Sequence, residues 1–136
     1  MKQIVVLGGG ISGYGSAILA KKKGFGVFLS DAGRIADRYK AKLDEWEVPY
    51  EEGGHTEERI LAATEVVKSP GIPDTAPMVR KIREAGIPVI SEMEFAGRYM
   101  GKAKCICITG SNGKTTTTSL IYKIMRDAGM NVALGG

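Results

Sequence analysis

Short, densely apolar runs alternate along this chain with longer stretches whose apolar positions recur every three or four residues. Runs rich in Val, Ile and Leu read as strands at 3–7 ("QIVVL"), 26–30 ("GVFLS"), 65–69 ("EVVKS") and 87–91 ("IPVIS"). A shorter strand is expected within "PYEEG" at 49–53. Helices are expected over 11–23, 34–47, 57–63, 76–85 and 94–99, with Gly86 marking the end of the fourth. Strands that are apolar on both faces, each followed by a helix, imply an α/β fold with a parallel sheet covered on both sides. A doubly wound sheet of strand order 3-2-1-4-5 is the expected arrangement.

The rhythm breaks at "MGKAK", which puts a domain boundary near Gly101 and divides the chain into 1–100 and 101–136. Beyond it come a strand "CICIT" (105–109), a glycine loop, a helix over 114–128 and a strand "NVALG" (131–135). A single strand–loop–helix–strand unit has no sheet to pack on, so it reads as the start of a second, truncated domain. Its helix carries Leu120, Ile121, Ile124 and Met125 on one face. That stripe calls for an apolar partner, so the segment is expected to pair with another copy or to stay poorly ordered.

Two glycine loops carry the candidate chemistry. "GGGISG" places Gly8, Gly10 and Gly13 in G-x-G-x-x-G spacing between the first strand and the first helix. This is the Rossmann-like arrangement: a tight turn, a backbone open to a pyrophosphate, and a helix packed close to the strand with its N-terminus toward the anion. Asp31 ends the second strand, where an acid binds a ribose hydroxyl. "SPGIP" (69–73) follows the fourth strand, the neighbour of the first in the expected order. Loops of adjacent strands that leave toward opposite faces open a ligand crevice. Gly10, Ile11, Ser12, Asp31, Ser69, Pro70 and Gly71 are therefore expected to line one pocket for a nucleoside diphosphate. The spacing alone does not separate a UDP-sugar from NAD.

The second loop, "TGSNGKTT", ends as a Walker A loop does, in Gly113-Lys114-Thr115, but is shortened to G-x-x-G-K-T. Backbone N–H groups of Gly110, Ser111, Asn112, Gly113, Lys114, Thr115 and Thr116 are expected to hold the phosphates of ATP. Lys114 stabilises phosphate charge, and the Thr115 hydroxyl is the expected metal ligand, to Mg²⁺.

Bulk composition changes the picture little. With 43% hydrophobic and 25% charged residues the chain is an ordinary globular one. The net charge of +4 is spread out, and Lys21 to Lys23 close a helix, where cations suit the dipole, so no nucleic-acid partner is expected. No apolar run is as long as a membrane span and no leader precedes the first strand, which suggests a native start at Met1, no membrane partner and a cytoplasmic location. Cys105 and Cys107 are expected as free thiols buried on a strand, and His55, the one histidine, as a loop or surface residue.

The shortened loop, preceded by Thr109 and followed by threonines, resembles that of the Mur ligase family, ATP-dependent enzymes that add amino acids to the peptidoglycan stem peptide. "GGGISG", "SPGIP", "SEMEF", "GSNGKTT" and "GMNVALGG" occur in the order found in the D-glutamate-adding branch, and together they cover essentially all 136 residues. The resemblance implies a UDP-sugar in the first pocket. It also implies the family reaction: the carboxylate of UDP-N-acetylmuramoyl-L-alanine becomes an acyl phosphate at the expense of ATP, and the amine of D-glutamate then displaces phosphate. It implies that Arg34 joins the UDP-sugar contacts, although Ala32 and Gly33 stand where that branch often has a hydroxyl residue and then a base. The remaining catalytic groups of the family are absent from this chain, which is expected to be an inactive N-terminal fragment of a monomeric parent. Two alternatives stay open: the L-alanine-adding branch, and a nucleotide- or NAD-binding regulatory module without catalysis.

Overall fold

The computed structural model describes residues 1–135 and separates into two compact units, Met1–Gly101 and a second that begins at Lys102. Gly136, the last residue of "GMNVALGG", lies outside the described residues.

In chain order the first unit contains β1 (Gln3–Leu7), α1 (Ile11–Lys22), β2 (Gly26–Ser30), α2 (Asp37–Glu45) and β3 (Tyr50–Glu51). It continues with α3 (Glu57–Leu61), β4 (Glu65–Lys68), α4 (Pro77–Glu84), β5 (Val89–Ser91) and α5 (Glu92–Gly97). The strands form one sheet, all parallel, in the order β3-β2-β1-β4-β5. Leu7 lies opposite Ser30 of β2 and Lys68 of β4, so the three central strands end level with one another.

The continuous apolar runs follow from burial on both faces. Ile4, Val6, Val27, Leu29 and Val67 point into one core with Ala17, Ala20 and Leu43. The residues between them, Val5, Leu7, Phe28 and Val66, point into a second core with Ile60, Val79 and Ile82 of α3 and α4. Each such aliphatic side chain contributes about 1.5–3 kcal/mol by leaving water. Helix α1 turns a face of small residues to the sheet: Gly13, Ser16, Ala17 and Ala20, spaced i, i+3, i+4, i+7. The small face lets the helix approach closely, and a methyl group at Gly13 would lie 1.9 Å from the Gly8 carbonyl oxygen.

The helix expected from residue 34 begins instead at Asp37, because the preceding segment has other partners. The Ile35 side chain is buried, its N–H donates to Glu52 at 2.8 Å, and Ala36 is extended. Helix α4 starts at Pro77, which has no N–H to lose at a first helical position and holds the preceding Ala76 extended. The lysines at the end of α1 are fastened to their own surface. Lys21 donates to the Glu47 carbonyl at 3.0 Å, while Lys22 and Lys23 sit over the rings of Trp46 and Tyr99.

The second unit contains α6 (Lys114–Asp127). The strands expected at 105–109 and 131–135 are not formed: no ladder involves them among the described residues. A strand needs a neighbour for its N–H and C=O groups, and the local apolar pattern does not supply one. Cys105 and Cys107 are accordingly exposed rather than buried, with their sulfurs 3.6 Å apart. On α6, Leu120 and Ile124 are 57% and 59% exposed while Ile121 and Met125 are half-buried, so the expected apolar stripe is present and only partly covered. No helix among the described residues is long and apolar enough to cross a membrane.

Two consequences for stability can be measured. Gly13→Ala is expected to destabilise the chain by about 2 kcal/mol or more, since a backbone carbonyl cannot move aside as a side chain can. A loss under about 0.5 kcal/mol in chemical denaturation would contradict the close packing of α1. Glu65, buried at the start of β4, accepts from Lys2 at 2.9 Å and from Arg98 at 2.8 Å. Burial raises its pKa, but the hydrogen bonds and charges of Lys2 and Arg98 outweigh this and hold it below its ordinary 4.5. The resulting stabilisation is complete above about pH 4.5 and is lost as pH falls through the depressed value. Glu65→Gln is thus expected to cost about 1–2 kcal/mol at pH 7, a gap that closes in acid; a gap independent of pH would contradict the ion pairs.

Candidate functional site

Three loops converge at the C-terminal ends of β1, β2 and β4. Leaving β1, Gly8 donates its N–H to the Ser30 carbonyl at 2.9 Å and adopts φ +100°, a left-handed conformation that L-residues rarely take. A methyl group there would meet the Ser69 side chain at 2.8 Å, so the loop rests directly on the exit of β4. Ser69 in turn donates to the Leu7 carbonyl at 2.9 Å. The Asp31 carboxylate ties the loop to the exit of β2, accepting from the Gly9 N–H at 2.6 Å and from the Gly33 N–H at 2.7 Å.

Between these loops lies a cavity of about 540 Å³. Leu7, Ile72, Met78 and Val79 form an apolar wall, and Asp31, His55, Ser69 and Lys81 supply polar edges. Of the residues expected from the sequence, the structure brings Gly10, Asp31, Ser69 and Gly71 to this cavity. Ile11 and Ser12 are exposed in the first turn of α1, and Pro70 is exposed in its turn, none of them lining the cavity. Arg34 is not brought to it either: it is exposed and pairs with Asp37 at 3.5 Å. The α1 N-terminus is open to an anion, because Gly10 caps it without a side-chain bond, no acidic residue stands in its first turn, and the space a side chain would fill at Gly10 is empty.

Two residues of this site escaped the sequence reading. Lys68 donates to the carbonyls of Ile72 at 2.6 Å and Ser69 at 3.3 Å, and so holds the "SPGIP" turn from beneath. A charged residue closing the apolar run "EVV" was the available signal. His55 lies in a loop, as expected, but is half-buried there and lines the cavity, with Nδ1 2.6 Å from the Ser30 hydroxyl. Nothing in the local sequence of a lone histidine announces that contact.

In the second unit, Gly113 caps α6 in a left-handed conformation, with no side-chain cap and no acid in the first turn. Lys114 folds back to donate to the Gly110 carbonyl. A second cavity, of about 470 Å³, is lined by Lys114 and Thr115 together with Ile108, Thr118, Ser119 and Leu134. Gly110, Ser111, Asn112, Gly113 and Thr116 do not line it. An uncapped N-terminus beside a lysine fits a phosphate. A metal ion is fitted less well: no group of three His, Cys, Asp or Glu residues among the described residues could hold one, and Thr115 supplies a single hydroxyl. Mg²⁺ would thus depend chiefly on oxygens from the nucleotide.

Comparison with known proteins gives this geometry a family. The family model for the Mur ligase MurD-like N-terminal domain matches residues 2–91, and that for the Mur ligase middle domain matches residues 108–136. The UDP-N-acetylmuramoylalanine--D-glutamate ligase of Bacteroides fragilis is 64% identical over the whole chain, and that of Porphyromonas gingivalis is 56% identical over 98% of it. The chain spans about 30% of the length of these relatives. Among solved structures, the murein peptide ligase of Psychrobacter arcticus superposes on 95% of this chain and 27% of its own, with a TM-score of 0.72 and 26% identity. The sheet order, the two glycine loops and these matches agree, and the chain belongs to the Mur ligase family.

Proposed function

We propose that this chain is the uridine-nucleotide domain, followed by the opening of the ATP-binding unit, of a ligase that joins D-glutamate to UDP-N-acetylmuramoyl-L-alanine in cytoplasmic peptidoglycan biosynthesis. The observation that carries the reading is the crevice between β1 and β4, where the open α1 N-terminus, Asp31 and the Ser69–Gly71 turn surround one cavity. The names of the relatives, which agree over the whole chain, support D-glutamate as the amino acid added.

In this reading the α1 N-terminus and the backbone at Gly10 bind the substrate pyrophosphate, and Ser69 and Gly71 close over it. The apolar wall excludes water from the nucleoside. Asp31 acts in two ways, since its oxygens fasten the loops through Gly9 and Gly33 while their remaining lone pairs face a ligand hydroxyl. Ile11, Ser12 and Pro70 flank the same site in the chain, next to Gly10, Ser69 and Gly71. In the second unit Lys114 neutralises charge on the phosphates of ATP, and the N–H groups of 110–116 bind their oxygens. A Mg²⁺ ion arriving with the nucleotide would find one protein oxygen here, the Thr115 hydroxyl, and would supply further charge neutralisation. In the whole ligase these groups hold ATP while its terminal phosphoryl group activates the substrate carboxylate for attack by the D-glutamate amine. Positioning and charge neutralisation are what this part of the machinery contributes.

Calorimetric titration of the chain with UDP-N-acetylmuramoyl-L-alanine and, separately, with NAD tests the reading. The uridine nucleotide is expected to bind and NAD is not; the reverse outcome would establish a dinucleotide module instead. Asp31→Ala is expected to weaken UDP binding by about 1–3 kcal/mol, the cost of losing a charge-assisted hydrogen bond together with a loop fastener. Unchanged affinity in that variant would show that the strand-two acid has no part in the site.

A further inference from the structure

The reading of the cavity as a uridine-nucleotide site leaves His55 without a role, although it lines that cavity and is fixed by a chain of hydrogen bonds. The chain starts at Glu51. One of its oxygens accepts from the Thr56 N–H at 2.8 Å and the other from the Thr56 hydroxyl at 2.5 Å. The Ser30 hydroxyl lies 2.6 Å from Glu51 and also 2.6 Å from His55 Nδ1. Burial raises the Glu51 pKa, but the bonds from Ser30 and Thr56 and the charge of Arg59 overcome this and hold it below the usual carboxylate value. Glu51 is therefore ionised at neutral pH and can only accept.

Proton bookkeeping then settles the imidazole. A serine hydroxyl has one hydrogen. Glu51 takes it, because two acceptors 2.6 Å apart without a proton between them would repel. Ser30 Oγ is left to accept from His55, so Nδ1 carries the ring proton. In a neutral imidazole with Nδ1 protonated, Nε2 keeps a bare lone pair.

We propose that His55 reads the nucleoside half of the ligand: Nε2, kept as an acceptor by Ser30 and Glu51, takes a hydrogen bond from a donor on the nucleoside. That donor is the ring N–H of a uracil-type base or a ribose hydroxyl. Either way, Ser30 and Glu51 are positioning residues that set the tautomer and ring orientation without touching the ligand.

His55 is the one histidine among the 136 residues, so its ring nitrogens can be observed without ambiguity. With ¹⁵N-labelled histidine at pH 8, the free protein is expected to show a protonated Nδ1 and an unprotonated Nε2, the reverse of the tautomer that free histidine favours. Saturating UDP is expected to shift the Nε2 resonance. A protonated Nε2, or an Nε2 resonance that UDP leaves unmoved, overturns the proposal. In parallel, wild type and His55→Phe are titrated with UDP, N3-methyl-UDP, 2′-deoxy-UDP and 3′-deoxy-UDP. UDP affinity is expected to fall about tenfold in the variant, the worth of one hydrogen bond. One analogue is expected to lose affinity for wild type but not for His55→Phe: the methylated base if the ring N–H is the donor, a deoxy sugar if a hydroxyl is. Equal losses in both proteins for every analogue overturn the proposal. Wild-type protein that binds no UDP overturns the reading of the cavity itself, and the tautomer of the free protein separates that failure from a failure of His55.

Discussion

Bringing a helix N-terminus up to the end of a buried strand requires a closer approach than any side chain permits, and the rest of this site depends on that approach. Gly13 makes it, with the Gly8 carbonyl where a methyl group would be. Once α1 is seated there, the loop between them has nowhere to go except across the exits of the neighbouring strands. It lands on Ser69 on one side and is caught by Asp31 on the other. The level ends of β1, β2 and β4 turn those contacts into a single rim rather than three separate loops.

The order of strands and helices in the first unit was legible because both faces of the sheet are covered. Val and Ile at successive positions of β1 serve opposite cores, and no solvent-facing strand has that composition. The glycine spacing was legible for the same reason that it is restrictive. Other features depend on partners distant in the chain. The start of α2 is set by Glu52, seventeen residues beyond Ile35, and the place of His55 by Ser30, twenty-five residues before it. Arg34 looked like a ligand contact by resemblance, yet its exposed side chain is engaged with Asp37.

The second unit shows which part of a phosphate loop is local. Gly113 in the left-handed region, the uncapped α6 and the returning Lys114 all form within a few residues of one another. The flanking segments behave differently: the apolar alternation of "CICIT" specifies a strand only when another strand lies beside it, and without one the two cysteines are exposed. Helix α6 makes the same point, since its apolar face is written in the sequence yet Leu120 and Ile124 on it remain exposed.

The proposed uridine-nucleotide site, the crevice between β1 and β4, is built by the backbone as much as by side chains. Backbone amide resonances followed by NMR during a UDP titration test it most directly. The amides of Gly10, Ile11, Ser69 and Gly71 should shift together and saturate at one affinity. Those of Gln3, Gly26 and Glu65, at the opposite ends of the same strands, should stay in place. Shifts confined to the opposite ends, or spread over the surface without saturating, would rule out the crevice as the nucleotide site.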